Sequence, residues 1–182
     1  MTEPDLFTRL AATHKPDCLL SLDGPLPQAV PNPDELSRTL GSDTVARYAQ
    51  DCRPIYEDLR RVIGQLSGLL ILARLTAKSD IADLPEAAQC RARWVEAGQR
   101  LGCLNAPAAV QGHKAQLDSA HSFCGQILAQ VPQLRRGPEA ETQFDRMTVQ
   151  IKRAYAHLEA ASAPKAGLQM VDFTHACCAC TH

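Results

Sequence analysis

The stretch "VARYAQDCRPIYEDLRRVIGQLSGLLILARL", Val45 to Leu75, decides the fold. Val45, Cys52, Leu59, Leu66 and Ala73 recur every seven residues, and Tyr48, Ile55, Val62 and Leu69 interleave between them. Ala49, Tyr56, Ile63 and Leu70 widen the stripe. Apolar residues repeating at three and four place one face of a helix against a core. The pattern predicts an amphipathic helix of about thirty-five residues starting at Ser42. Pro54 falls inside it and predicts a kink or a break, because proline lacks the amide proton and its ring crowds the preceding turn.

Working outward, three more periodic segments follow. Asp83-Leu84-Pro85-Glu86 opens one whose stripe is Cys90, Trp94, Ala97/Gly98 and Leu101, closed by Gly102. Asn105-Ala106-Pro107 opens the next, with Val110, His113, Leu117, Ala120/His121, Cys124, Ile127/Leu128 and Val131 before Pro132. Gly137-Pro138-Glu139 opens the last, with Ala140, Phe144, Met147, Ile151, Ala154, Leu158 and Ala161 before Pro164. Helices joined by short connections pack against their neighbours. The expected fold is all-α, an up-down antiparallel four-helix bundle. It has a proline-rich N-terminal segment and an extended Cys/His-rich C-terminal tail.

The expected organisation is therefore an irregular segment over 1–41 with short helices, the bundle over 42–163 and the tail over 164–182. One short helix is expected from about Pro4 to Thr13. Another is expected in "NPDELSRTLG", where Asn32 caps, Pro33 takes the first position and Gly41 follows the end. The segment "KAGLQMVDF", Lys165 to Phe173, is moderately apolar. It is compatible with an extended strand lying in a groove and equally with a mobile tail.

Composition narrows the function classes. Hydrophobic residues make up 45% of the 182, charged residues 21% and aromatic residues only 4%. With 19 basic and 20 acidic side chains the net charge is −1, which gives no footprint for nucleic acid or an anionic membrane. The longest apolar stretch is interrupted at Arg74, so no membrane span is expected. The N-terminus carries early acids and a proline rather than a secretory signal, and a cytoplasmic location is expected. Eight cysteines in a reducing compartment are free thiols, and clustered ones are metal-binding or redox-active.

The chemistry concentrates at the end, "FTHACCACTH", Phe173 to His182. His175, Cys177, Cys178, Cys180 and His182 put five soft or borderline donors within eight residues. Cys177 and Cys180 stand in C-x-x-C spacing, which lets two thiolates reach one ion from a single turn of backbone. Such a set takes zinc, copper(I), nickel or iron rather than hard cations. Cys177 and Cys180 are the expected primary ligands, with Cys178, His175 and His182 completing the coordination.

The ending resembles the C-terminal ligand motif of nickel–iron hydrogenase large subunits, a C-x-x-C followed shortly by histidine. Cys177, Cys180 and His182 match it. The histidine stands one residue closer here, Ala176 replaces the expected proline, and no R-x-C-x-x-C lies upstream. The resemblance covers about ten residues and implies a role in metal-centre assembly.

Other candidates were read from the third periodic segment, where His113, His121 and Cys124 share one side and could form a second site or an enzyme's. D-x-x-H occurs once, at Asp118 and His121, whereas bundle di-metal sites draw carboxylates from several helices. The expected role of these histidines is interfacial, and His157 is expected on a solvated flank. Cys52, Cys90 and Cys124 read as buried small hydrophobes, and Cys18 or Cys103 as thiols able to complete a tail-borne site. No G-x-S-x-G elbow, phosphate loop or dinucleotide fingerprint occurs, so the reading leans away from an enzyme.

The expected function is soft-metal binding in sensing, storage, delivery or metallocentre assembly. The expected partner is a metalloprotein client or a modifying enzyme, and a homodimer fits the broad stripe. The competing expectation is a non-enzymatic adaptor or leader-like carrier whose cysteine-rich tail a partner recognises or modifies.

Overall fold

The computed structural model describes residues 24–76, 80–134 and 138–170. Within them the chain is all-α: five α-helices, four short 3₁₀ turns and no strand. The helices are α1 (Pro33–Leu40), α2 (Ser42–Thr76), α3 (Pro85–Cys103), α4 (Gln111–Gln130) and α5 (Pro138–Ala160). The short helix expected at 4–13 lies outside the described residues.

Helix α1 has the ends its sequence encodes. Asn32 Oδ1 accepts from the amides of Asp34 and Glu35 at 2.9 and 3.0 Å. At the other end Gly41, at φ 82°, donates its amide to Ser37 O at 3.0 Å. A side-chain cap and a positive-φ glycine satisfy groups that the helix itself leaves unpaired.

Helix α2 is the organising element, in contact with every other helix. That explains the width of its stripe. Cys52, Ile55, Tyr56, Leu59, Val62, Ile63, Leu66, Leu69, Leu70 and Ala73 are all buried, facing more than one neighbour at once. Pro54 does not break it, because the helix runs unbroken from Ser42 to Thr76. Pro54 and Gln50 are both exposed, so the Gln50 carbonyl that loses its partner faces water. Buried Cys52, Ile55 and Tyr56 hold the turn from the other side.

The expected core of α3, α4 and α5 is also found. Cys90, Ala97 and Leu101 are buried on α3, and Leu117, Ala120, Cys124, Ile127 and Leu128 on α4. On α5, Met147, Ile151, Ala154 and Leu158 join them. The α4–α5 and α2–α3 contacts are the most extensive. Two ends differ from expectation: Gly102 stays helical and Leu104 caps α3, while a 3₁₀ turn, Ala108–Val110, precedes α4.

After α5 the chain stays against the helices as far as Met170. Ala163 and Leu168 exchange both backbone hydrogen bonds, at 2.7 and 3.1 Å, around a 3₁₀ turn over Pro164–Ala166. Gly167 turns this loop at φ 74°, where a Cβ would stand 2.7 Å from Arg53 Nη2. Leu168 is buried and Met170 is half-buried against the core.

Candidate functional site

The expected ligands His175, Cys177, Cys178, Cys180 and His182 lie outside the described residues, as does Cys18. What the structure describes is their point of departure. Arg53 Nη2 donates to Ala166 O at 3.0 Å, and Arg60 Nη1 donates to Gln169 O at 3.3 Å. Lys165 forms an ion pair with Asp34 of α1. The approach to the tail is thus tied down along the exposed side of α2.

Of the body's described cysteines, Cys52, Cys90 and Cys124 are buried and Cys103 is exposed, all as free thiols. Burial pushes the Cys52 thiol up to about 12 and the Cys90 thiol up to about 11. Cys124 is raised for the same reason, with Cys90 nearby adding to it. Buried thiols held protonated are poor ligands and poor nucleophiles. Among the described residues no group of three or more His, Cys, Asp or Glu side chains is placed to hold an ion.

The histidines of α4 have separate employments. His113 Nε2 donates to Ala161 O at 2.9 Å, which leaves Nδ1 to accept from the Tyr48 hydroxyl at 3.0 Å. This pair lies on the wall of a cavity of about 570 Å³ between residues 29–34, α2 and the loop after α5. Burial lowers the pKa of His113 and raises that of Tyr48, so both are neutral and neither is poised to exchange a proton near pH 7. The pair is a satisfied structural contact.

His121 faces α3 instead. Its ring stacks on Trp94 with centroids 4.7 Å apart and planes 7° from parallel. His121 Nε2 donates to Trp94 O at 3.1 Å while Trp94 Nε1 donates to His121 O at 2.9 Å. Each ring sits over a glycine of the other helix. A Cβ on Gly98 would stand 2.6 Å from His121 Nε2, and one on Gly125 would stand 2.7 Å from Trp94 Cζ2. Asp118, the acid of D-x-x-H, pairs with Lys114 at 3.0 Å. His113, His121 and Cys124 therefore do not converge.

His157, expected on a solvated flank, is fully buried. It belongs to a clamp that holds the proline-rich segment after Gly24 against α4 and α5. His157 Nε2 donates to Pro25 O at 3.0 Å, Arg153 Nη2 donates to Gly24 O at 3.3 Å and also to Pro25 O, and the Gln28 amide reaches Gln116 Oε1 at 3.4 Å. Phe123 stacks on His157 at 5.7 Å and lies under the Arg153 guanidinium at 5.1 Å. The close approach requires Gly24, at φ 140°, because a Cβ would stand 2.9 Å from Phe123 Cζ.

Sequence reasoning missed this clamp, although a signal was present. Gln150, Arg153 and His157 form a polar row beside the apolar stripe of α5. A proline-rich segment offers many carbonyls and few amides, so whatever it packs against must supply donors.

Burial, and then the neighbouring Arg153 guanidinium, lower the pKa of His157, while the bond to Pro25 opposes them. The ring is neutral at pH 7. Its Nδ1 lies 2.8 Å from Gln116 Oε1, the oxygen that the Gln28 amide also approaches.

Among the described residues no helix is long and apolar enough to cross a membrane. No family model matches the chain, and neither a curated protein nor a solved structure is similar to it.

Proposed function

We propose that this chain binds a soft transition metal through its C-terminal Cys/His segment and acts in metal sensing, storage, delivery or metallocentre assembly. In this reading α2 to α5 form an up-down antiparallel four-helix bundle that serves as the scaffold. Cys177 and Cys180 are the primary thiolate ligands, and Cys178, His175 and His182 complete the coordination. A reducing, cytoplasmic setting keeps these cysteines available, and the partner is a metalloprotein client that receives or supplies the ion.

The observation that carries the reading is the density of donors: five within eight residues at 175–182. Thiolates at C-x-x-C spacing favour zinc, copper(I), nickel or iron over hard cations. Exposed free thiols are otherwise an oxidation liability, which argues against a cluster without use. The contrast with the body supports this, since Cys52, Cys90 and Cys124 are withdrawn from solvent and held protonated.

Cobalt(II) added to the reduced, metal-free chain tests the ligand set through sulfur-to-metal charge-transfer absorption. The band is expected in the unaltered protein and in Cys103→Ser, and is expected to vanish in the Cys177→Ser/Cys180→Ser double variant. Its absence from the unaltered protein, or its survival in the double variant, overturns the reading. Mass spectrometry of protein from its native host addresses the competing carrier role. Covalent mass added to the tail cysteines, in place of a bound ion, contradicts metal binding.

A further inference from the structure

The segment that the α4–α5 clamp holds is extended because its own sequence dictates it. Pro25 and Pro27 fix φ at about −65°, and each proline pushes the residue before it toward extended backbone. From Pro25 to Asn32 the chain forms neither helix nor strand, and Asn32 ends the run at φ −74° and ψ 156°. Such a run is ordered before anything grips it, and it presents carbonyls with few amides between them.

The receiving surface matches those groups one by one. Arg153 and His157 of α5 donate to the carbonyls of Gly24 and Pro25, and Gln116 of α4 accepts from Gln28, the first amide after Pro27. Phe123, itself buried under His157 and Arg153, leaves room for glycine alone, since a Cβ on Gly24 would stand 2.9 Å from its Cζ. The receiving side chains are withdrawn from solvent, Arg153 at 1% exposure, His157 at 0% and Gln116 at 4%. The held segment is the reverse. Gly24, Pro25, Leu26 and Gln28 are all exposed, Leu26 at 52%.

We propose that the clamp is a docking site for an extended Gly-Pro-x-Pro segment of a partner protein, and that Gly24–Gln28 is its occupant in cis, displaced when the partner binds. Two features point to exchange rather than to a permanent seat. The contacts go to main-chain groups that every Gly-Pro-x-Pro segment presents, so nothing in them is particular to this chain. The anchoring is also one-sided. The segment buries little of its own side chains and so opens easily, whereas the buried guanidinium and imidazole need a carbonyl whichever chain supplies it. Prolines that order a strand in advance reduce the entropy lost on docking, for a partner's segment as for this one. The docking is independent of the metal-binding reading, because none of the candidate ligands belongs to the clamp.

A fluorescent peptide with the sequence of residues 24–31, Gly-Pro-Leu-Pro-Gln-Ala-Val-Pro, tests the proposal by anisotropy against the full-length chain. Gly24→Val in the chain drives its own segment off the clamp, because a β-branched residue is strained at φ 140° and its Cβ meets Phe123. Helical content should be kept, since Gly24 lies outside every described helix. The peptide is expected to bind this variant about tenfold or more tightly than the unaltered chain, in which the cis segment competes. The same peptide carrying Gly24→Val should bind neither chain. No binding to the variant chain, equal affinity for the two chains, or binding by the altered peptide overturns the proposal. So does a dimer of the unaltered chain that Gly24→Val abolishes, which assigns the clamp to a second copy.

Discussion

Gly98 and Gly125 lie in the α3–α4 contact, and Gly64 and Gly68 lie beside the α2–α5 groove. All four are helical and contribute no side chain of their own. At the first pair the space is filled from within the described chain: His121 lies over Gly98 and Trp94 over Gly125, each ring hydrogen-bonded to the other's backbone. At the second pair no described residue approaches within 4 Å, and the neighbouring Ile71 is largely exposed. A helix glycine costs up to about 1 kcal/mol relative to alanine, so one is retained without penalty only where close approach needs it. The closed contact shows what such a need looks like, and at Gly64 and Gly68 no described residue supplies one.

The closed side carries the titratable rings, and it is where pH should act most strongly. His113, His121 and His157 all have pKa values lowered below the ordinary 6.5, chiefly by burial. The unfolded chain therefore binds protons first as pH falls. Stability is fully present above about pH 6.5 and declines as pH drops toward the lower folded-state values. Each of the two buried rings, His113 and His157, contributes a slope of at most about 1.4 kcal/mol per pH unit in that window. Chemical denaturation at pH 7.5 and 5.5 should show the loss, and equal stability at the two values would contradict the assigned neutral forms. Among its described lining residues the α2–α5 groove has no histidine.

Substitution at the glycines comes next in size. Gly98→Ala and Gly125→Ala place a methyl group 2.6 and 2.7 Å from the opposing rings and push them off their carbonyl partners. Overpacking outweighs the gain in helix propensity, for a net loss of about 1–2 kcal/mol. That corresponds to a fall in Tm of about 2–8 °C for a chain of this size. Unchanged or raised Tm values would show that the rings are loosely held.

The smallest effect has the opposite sign. Gly64→Ala and Gly68→Ala should each stabilise the chain by about 0.5–1 kcal/mol, because they add helix propensity where no described residue comes within 4 Å. A fall in Tm for either variant would show that the space over these glycines is filled.

Much of the fold was legible because its signals were local. The heptad-spaced stripe from Val45 to Ala73 gave α2, and Asn32, Pro33 and Gly41 gave both ends of α1. At Pro54 the helix continues rather than breaks, because that choice depends on the face on which the lost hydrogen bond falls, and here that face is solvent. His157 misled because a side chain flanking a stripe reads as solvated until a distant segment covers it. The covering segment, Gly24 to Gln28, is more than a hundred residues away in sequence. The apolar run Leu69 to Leu72 hid the groove, since an all-round apolar turn does not reveal which members are left exposed. The donor cluster was legible as chemistry, but its candidate donors come from one short segment and leave no trace in the periodic pattern of the helices.

The central claim is that the Cys/His segment holds a metal ion, and the metal-to-protein ratio of anaerobically purified protein tests it most directly. The full-length chain is expected to carry a soft transition metal at close to one equivalent, and a chain lacking residues 174–182 to carry none while keeping its helical content. Equal metal content in the two chains, or none in either after reducing purification, would contradict it.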